Sequence, residues 1–403
     1  MRTICNAMRA MQALALSTAN LRGTHPTPDR GRRVVLTRAA ICWERNAPWS
    51  VEEIELDPPK AGEVSVRLVA SGLCHSDEHI RNGHMPWELP MIGGHEGAGI
   101  VEEVGPGVTS VAPGDHVVLA FIPACGRCPS CSTGAQNLCD LGMYMADGYQ
   151  VTDHTSRHHA RGVDLRVACM VGTFAEHTTV NEAHLVPVDP DTPLDLACLL
   201  ACGVVTGWGA AVNTGDVAPG DTVVVVGAGG IGMNAVQGAA LAGAERILAI
   251  DPVPLKREKA IGFGATHTAA DATEGFALLQ DLTRGRLANV VINTKSEGEG
   301  PDIAVSLGLA GKRGKVVVTN LHEAGDQQVT MNALDLTVME KQVRGSCFGS
   351  ANPRRDIPRL LDLYRNGKLQ LEELVSHRYK LDEVNQGYQD QVEGRSIRGV
   401  LTL

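Results

Sequence analysis

Val223-Val224-Val225-Val226-Gly227-Ala228-Gly229-Gly230-Ile231-Gly232 decides the fold of this 403-residue chain. Four β-branched residues in a row read as a short strand apolar on both faces, and the glycines that follow open a small-residue helix from about Ile231 to Ala242. In a GxGxxG turn the first glycine, Gly227, permits the tight bend. The second, Gly229, lets backbone approach a pyrophosphate, and the third, Gly232, lets helix and strand pack closely. The helix N-terminus then offers free N–H groups and partial positive charge to phosphates. Asp251 stands 19 residues beyond Gly232, at the end of the next strand, Arg246–Ile250. A carboxylate there accepts hydrogen bonds from an adenosine ribose and repels a 2′-phosphate, which favours NAD over NADP. The alternative is that Asp251 caps the helix after Pro252.

Strand and helix signals go on alternating outward, through Val253–Phe263, Ala288–Asn293, Ile303–Ala310, Lys315–Thr319 and Leu334–Glu340. That alternation is the mark of an α/β fold with a doubly wound parallel sheet. The other half differs. Folding signals begin near Arg38, with Val64–Ala70 and Gly99–Val104 at strand length between Pro58-Pro59 and Pro113-Gly114 punctuation. Helical periodicity is nearly absent up to about residue 190, so this part reads as mostly β; a helix is expected at Ile357–Asn366. The predicted organisation is an extension over 1–34, a mostly-β catalytic domain over 35–203 and 348–403, and a dinucleotide-binding domain over 204–347.

Hydrophobic residues make up 43% and charged residues 20%, as in ordinary globular proteins. No apolar run approaches the roughly 20 residues of a membrane span. A net charge of −10 argues against a nucleic-acid partner. The first thirty-odd residues carry Arg2, Arg9 and Arg22 and no acidic residue before Asp29. A disordered or misassigned start, a transit peptide and a weak secretory signal are the three readings of that stretch, in that order.

Eleven cysteines would be many for a cytosolic protein unless they have a task, and an odd number suits metal binding better than disulfides. Thiolate ligands also favour the reducing cytoplasm. Cys125, Cys128, Cys131 and Cys139 crowd into fifteen residues of a Gly-, Pro- and Ser-bearing loop, the pattern of a closed structural zinc site. An iron–sulfur ferredoxin pattern would want three residues before the last Cys and a Pro after it; here seven intervene and Asp140 follows. A second set is dispersed: Cys74, His95 and Cys202. Two thiolates and an imidazole with an open fourth position form a catalytic zinc combination, but sequence spacing does not show that these three meet.

Gly72-Leu-Cys-His-Ser-Asp-Glu-His79, Gly93-Gly-His-Glu-Gly-Ala-Gly99, the four-cysteine lobe, Ala201-Cys-Gly-Val-Val-Thr-Gly207 and the dinucleotide turn occur in the order of the medium-chain zinc alcohol dehydrogenases, which the chain resembles over about residues 35–403. The resemblance implies a GroES-like β domain joined to a Rossmann domain. It implies a catalytic zinc on Cys74, His95 and Cys202, a structural zinc on the lobe, and NAD. Ser76 and His79 match a proton relay ending at a His near solvent; Asp77 would orient His95, and Glu96 would sit behind the metal. His75, Thr206 and Arg398 match cofactor contacts, Lys256 one beside the adenosine ribose, and Phe121 a substrate-pocket wall, with Met85, Trp87 and Met170 as further wall candidates. The tail Val384-Asn-Gln-Gly-Tyr-Gln-Asp390 with Ser396-Ile-Arg-Gly399 is similar to bacterial nitrosodimethylaniline-dependent members, in which the cofactor can stay bound between turnovers.

The implied reaction is hydride transfer between a primary alcohol and NAD, with a small-molecule alcohol or aldehyde as partner, no nucleic acid or membrane, and a homodimer or homotetramer. The alternative is a thiol-dependent formaldehyde dehydrogenase, for which Arg81 and Arg157 are candidates at the pocket mouth. A non-enzymatic sensor on the same scaffold would be expected to lose the relay or the open position. Asp140–Val171 is a long segment resembling the loop of liver-type members, and His75 stands where some members have Arg. Adjacent His158 and His159 read as a solvated loop, not a third metal site.

Overall fold

A strand with no polar face has to be covered on both sides, and Thr222–Val226 lies at the centre of a six-stranded, all-parallel sheet. The computed structural model describes residues 34–323, 325 and 328–403; the N-terminal stretch of the transit, secretory and disordered readings lies outside them. The sheet runs His267–Ala269, Arg246–Ile250, Thr222–Val226, Ala288–Asn293, Ala310–Val318, Gln342–Gly345. Chain order reverses between Thr222–Val226 and Ala288–Asn293, which opens a crevice beyond their C-terminal ends. The helices Gly230–Leu241 and Pro254–Gly262 start within a residue of their sequence-based limits. Asp271 caps a further helix, Ala272–Thr283, by accepting from the amides of Thr273 and Glu274.

The β-rich part forms two systems. Glu63–Gly72, the longest strand, pairs with Gly97–Val104, His177–Asn181 and, from the far end of the chain, Arg398–Thr402. The C-terminal residues therefore return to the N-terminal sheet. A closed barrel is built from Val35–Cys42, Ser50–Leu56, His158–Ala160, Val163–Val167 and Met91–Ile92. Among the described residues no single helix is long and apolar enough to cross a membrane.

Three sequence expectations change here. His75–Asn82 is a helix in a region read as free of helical periodicity. Its buried residues are Asp77, Glu78, His79 and Ile80, so there is no apolar stripe to detect. His158 and His159 belong to a barrel strand, not a solvated loop. The His158 ring is buried and bonds to Thr178 Oγ1, and burial pushes its pKa down to about 3; His159 bridges Asp57 and Asp164. Arg157 is wholly buried, its guanidinium forked onto Glu63 at 2.6 and 2.7 Å and held by Asp153. It ties the last part of Asp140–Val171 to the hub strand and cannot reach a pocket mouth.

Removing one partner of a buried ion pair strands the other. Arg157→Met is expected to destabilise the protein by about 3–5 kcal/mol in equilibrium urea unfolding, and the double change Glu63→Gln/Arg157→Met by clearly less. An equal loss in both variants would mean that the pair is not the origin of the effect.

Candidate active site

Three short structures deliver the dispersed ligands. Cys74 lies two residues beyond the hub strand, Glu63–Gly72, as the extended residue before the His75–Asn82 helix. His95 sits in the turn between Met91–Ile92 and Gly97–Val104, where Gly94 takes φ +84 and a Cβ would stand 2.6 Å from the Phe174 nitrogen. Cys202 precedes the helix Gly203–Gly209. One ligand atom from each, with a carboxylate oxygen of Glu96, lie within 4.8 Å of one another, and all four residues are buried. The convergence that spacing could not show is present in the fold.

Each member is held from behind. His95 Nδ1 donates to Asp77 at 3.1–3.2 Å, which leaves Nε2 for the cluster. Asp77 also accepts from the Gly94 amide and from the Tyr388 hydroxyl, at 3.0 and 3.2 Å. Burial opposes a charge on His95, and Asp77 and Cys74 outweigh it, holding the imidazole well above its ordinary range. Burial also pushes Glu96 up to about 7. Glu96 Oε1 accepts from the Gly203 amide and from Arg398, while Oε2 is buried without a hydrogen-bond partner. Cys74 is drawn well below the usual thiol range by a hydrogen bond from Cys202 and by His95, and Cys202 is pushed up by the same bond. Two thiols thus share one proton, which a divalent ion would displace. The donor set fits zinc.

The lobe fits a second ion. Cys125 and Cys131 Sγ are 3.9 Å apart, as are Cys128 and Cys139 Sγ, close to the ~3.8 Å that tetrahedral Zn–S bonds of about 2.3 Å require. A disulfide needs about 2.0 Å. Amides of Cys125, Cys128, Cys131 and Asp140 donate to these sulfurs at 3.4–3.5 Å, favouring thiolates.

The dinucleotide turn has the predicted geometry. Gly227 takes φ +95, a Cβ on Gly232 would lie 1.9 Å from the Gly227 carbonyl, and a Cβ on Gly229 would meet open space. Asp251 Oδ2 accepts from the Ala228 amide at 2.8 Å and Oδ1 from Val253 at 2.9 Å; Val253, not Asp251, caps the following helix. Lys256 lies half-buried on that helix. Arg398 joins the two sites: its guanidinium bonds Leu73 O and Glu96, and a Cβ on Gly230 would stand 2.5 Å from its Nε. Thr206 Oγ1 is buried without a hydrogen-bond partner, one helical turn beyond Cys202. His75 lies 3.8 Å from Glu297, across the crevice.

Ser76 Oγ lies 3.6 Å from Cys74 Sγ. His79 is 4% exposed, so the expected His near solvent is instead enclosed. The Phe121 ring stands 5.8 Å from that of His95 and 4.9 Å from Phe348. Met85 and Trp87 pack on Ile80, Met91 and Ala168, and Met170 is core.

Residues 60–190 match the alcohol dehydrogenase GroES-like domain family and 230–366 the zinc-binding dehydrogenase family. Alcohol dehydrogenase B of Mycobacterium tuberculosis is 48% identical over 91% of this chain and 98% of its own. The NDMA-dependent alcohol dehydrogenase of Amycolatopsis methanolica is 48% identical over the same shares. The chain belongs to the medium-chain zinc-dependent alcohol dehydrogenases. The benzyl alcohol dehydrogenase structure from Acinetobacter calcoaceticus superposes with a TM-score of 0.85 at 30% identity, over 92% of this chain and 99% of that one. The protein is thus an enzyme of zinc-dependent alcohol oxidoreduction with a GroES-like and a Rossmann part.

Three residues of this alcohol dehydrogenase site escaped the sequence reading. Tyr388 was noted only as part of the tail; its approach to Asp77 comes from the strand pairing that brings the C-terminus home. Phe348 packs on Phe121 through a backbone with φ +52, a feature without a sequence signal. Cys169 lies within electrostatic reach of His95 and Cys74, and burial pushes its thiol up to about 12.

A carboxylate that orients a ligand imidazole depends on its own support. Tyr388→Phe is expected to weaken zinc retention at the Cys74–His95–Cys202 site by about 10-fold, with the lobe zinc unaffected, in a timed chelator challenge followed by metal analysis. Equal loss from both sites would contradict that placement.

Proposed function

We propose that the enzyme moves a hydride between a primary alcohol and NAD, with one zinc held by Cys74, His95 and Cys202 and a second by the lobe cysteines. The observation that carries this reading is the buried cluster of Cys74, His95 and Cys202, a Cys2His set of the kind alcohol dehydrogenases use for catalytic zinc, with Glu96 as the fourth group within reach. When bound, zinc supplies Lewis acidity toward an alcohol oxygen and the nicotinamide supplies the hydride acceptor.

The chain's own residues supply the rest. Phe121, with Met85 as a second wall, shapes an apolar approach to the cluster. Ser76 Oγ, beside Cys74, takes the alcohol proton, and His79 receives it by way of the nicotinamide ribose. The amides of the turn bearing Gly227, Gly229 and Gly232, reinforced by Arg398, meet the pyrophosphate. Thr206 and His75 add further cofactor contacts, His75 on the phosphate side. Asp251 takes the adenosine ribose and rejects a 2′-phosphate by like charge, with Lys256 alongside. Asp77 and Glu96 brace the metal site from behind.

A thiol-adduct substrate finds less support, because Arg157 is locked in the barrel and Arg81 is spent on Glu78 and the Ala47 carbonyl. We further propose a small-molecule partner without nucleic acid or membrane, a homo-oligomer, and a cytoplasmic setting that keeps the lobe thiols reduced.

The test is an alcohol panel, assayed with free NAD and again with an artificial electron acceptor. Primary alcohols are expected to be oxidised in at least one format, and Cys202→Ala to lose both this activity and one of two zinc ions per chain. Retained activity in Cys202→Ala would overturn the assignment. Asp251→Ala should lower the NAD-over-NADP preference in kcat/KM by at least about 10-fold, the effect of losing roughly 1.4 kcal/mol of discrimination. An unchanged ratio would remove Asp251 from the ribose site.

A further inference from the structure

The His75–Asn82 helix ends in a turn that folds a second histidine back onto the first. Gly83 takes φ +89 and donates to the Ile80 carbonyl at 3.3 Å. Asn82 Oδ1 accepts from the His84 amide at 3.1 Å, and the Met85 amide returns to the His79 carbonyl at 2.9 Å. Arg45 clamps the turn from outside through the carbonyls of Ile80 and Met85, at 2.7 and 3.2 Å, and that of Trp87. The outcome is a pair of imidazoles with Nδ1 to Nδ1 at 3.1 Å and ring centres 5.4 Å apart.

His79 is enclosed, so a proton that reaches it has to leave through a neighbour. Its Nε2 faces the crevice, 3.0 Å from the Ser296 carbonyl, and its Nδ1 is taken by His84. Around the pair stand the His75 ring, edge-on to His79 at 5.1 Å, Glu297 beside His75, Arg45, and the Arg81–Glu78 ion pair of the same helix. Among these, His84 is the group hydrogen-bonded to His79 that can accept a proton, and it is part-exposed. Two nitrogens facing each other at this distance hold one proton between them, not two.

We propose that His84 is the outer member of the proton relay, taking from His79 the proton released in alcohol oxidation and passing it to water. The step balances once Nε2, which donates to the Ser296 carbonyl, is released from it and the shared proton sits on His79 Nδ1: one proton then enters at His79 Nε2, one crosses from His79 Nδ1 to His84 Nδ1, and one leaves from His84 Nε2. The proposal rests on the dehydrogenase reading of the Cys74–His95–Cys202 site. His84 touches neither alcohol nor dinucleotide; it acts through His79 as a positioning residue, and its test needs readouts that a packing role would leave unmoved.

The test compares wild type with His84→Gln, which keeps a hydrogen-bonding side chain but carries no proton. The first readout is the pre-steady-state burst of NADH formation by the zinc-loaded full chain with benzyl alcohol, from pH 6 to 10, with and without added imidazole. The variant's burst is expected to be about 10-fold slower at pH 7, less than the roughly 10²–10⁴ of a group acting on the reacting atoms. The gap should close to under about 2-fold near pH 10, where hydroxide takes the proton, and imidazole should close it at pH 7. The second readout is 15N-histidine NMR of the same protein without substrate, where the His79 Nδ1 resonance is expected to show a hydrogen bond to a second imidazole and His84→Gln to change it. An unchanged pH profile, a loss equal at every pH and indifferent to imidazole, or an unmoved His79 Nδ1 resonance would overturn the proposal. A wild-type enzyme that forms no NADH from any alcohol, with or without an artificial acceptor, would instead overturn the dehydrogenase reading on which it stands.

Discussion

A group of ionisable donors buried together is the constraint on which this structure turns. Cys74, Cys202, His95, Asp77 and Glu96 are all withdrawn from water in one small volume, with Arg398 and the imidazole of His95 as the cationic groups among them. Charges buried in this way are costly unless they are neutralised by protons, by one another or by an ion. The thiol pair answers with a shared proton, and Glu96 with a raised pKa. A divalent cation answers all of these at once, so the site is at rest when it is metallated.

The architecture exists to bring that group together and set it beside the dinucleotide crevice. The hub strand leads into Cys74, the glycine turn at Gly94 delivers His95, and the helix entry at Gly203 delivers Cys202. The last strand closes the system: Arg398 reaches from Glu96 to the first turn of the helix after the dinucleotide loop. Tyr388, from the helix just before that strand, steadies Asp77. Chain segments more than 300 residues apart thus share one charge balance, which is why the C-terminal residues pair with the N-terminal sheet and not with the Rossmann sheet.

The parallel sheet was legible because its signals are local: four valines, three glycines and an acidic residue at the right distance give strand, turn and a carboxylate bonded to that turn within thirty residues. The lobe was legible for the same reason. The dispersed cluster was legible only through family resemblance, since three ligands spread over about 130 residues have no spacing rule. What stayed hidden depends on tertiary packing. The His75–Asn82 helix buries polar residues, so amphipathic periodicity has nothing to register. His158 and Arg157 look solvated until barrel closure places them against Thr178 and Glu63. His84 carries no motif; its meaning comes from a left-handed glycine that turns it toward His79.

Zinc K-edge X-ray absorption on the purified enzyme tests the central claim most directly, because it counts donor types around the metal without requiring turnover. Two sites, one of four thiolates and one of two thiolates with an imidazole and a light-atom ligand, average to about three sulfurs near 2.3 Å and one nitrogen or oxygen near 2.0–2.1 Å per zinc. Two zinc ions per chain with that mixed shell is the predicted result. A single zinc per chain, surrounded by sulfur alone, would contradict the account.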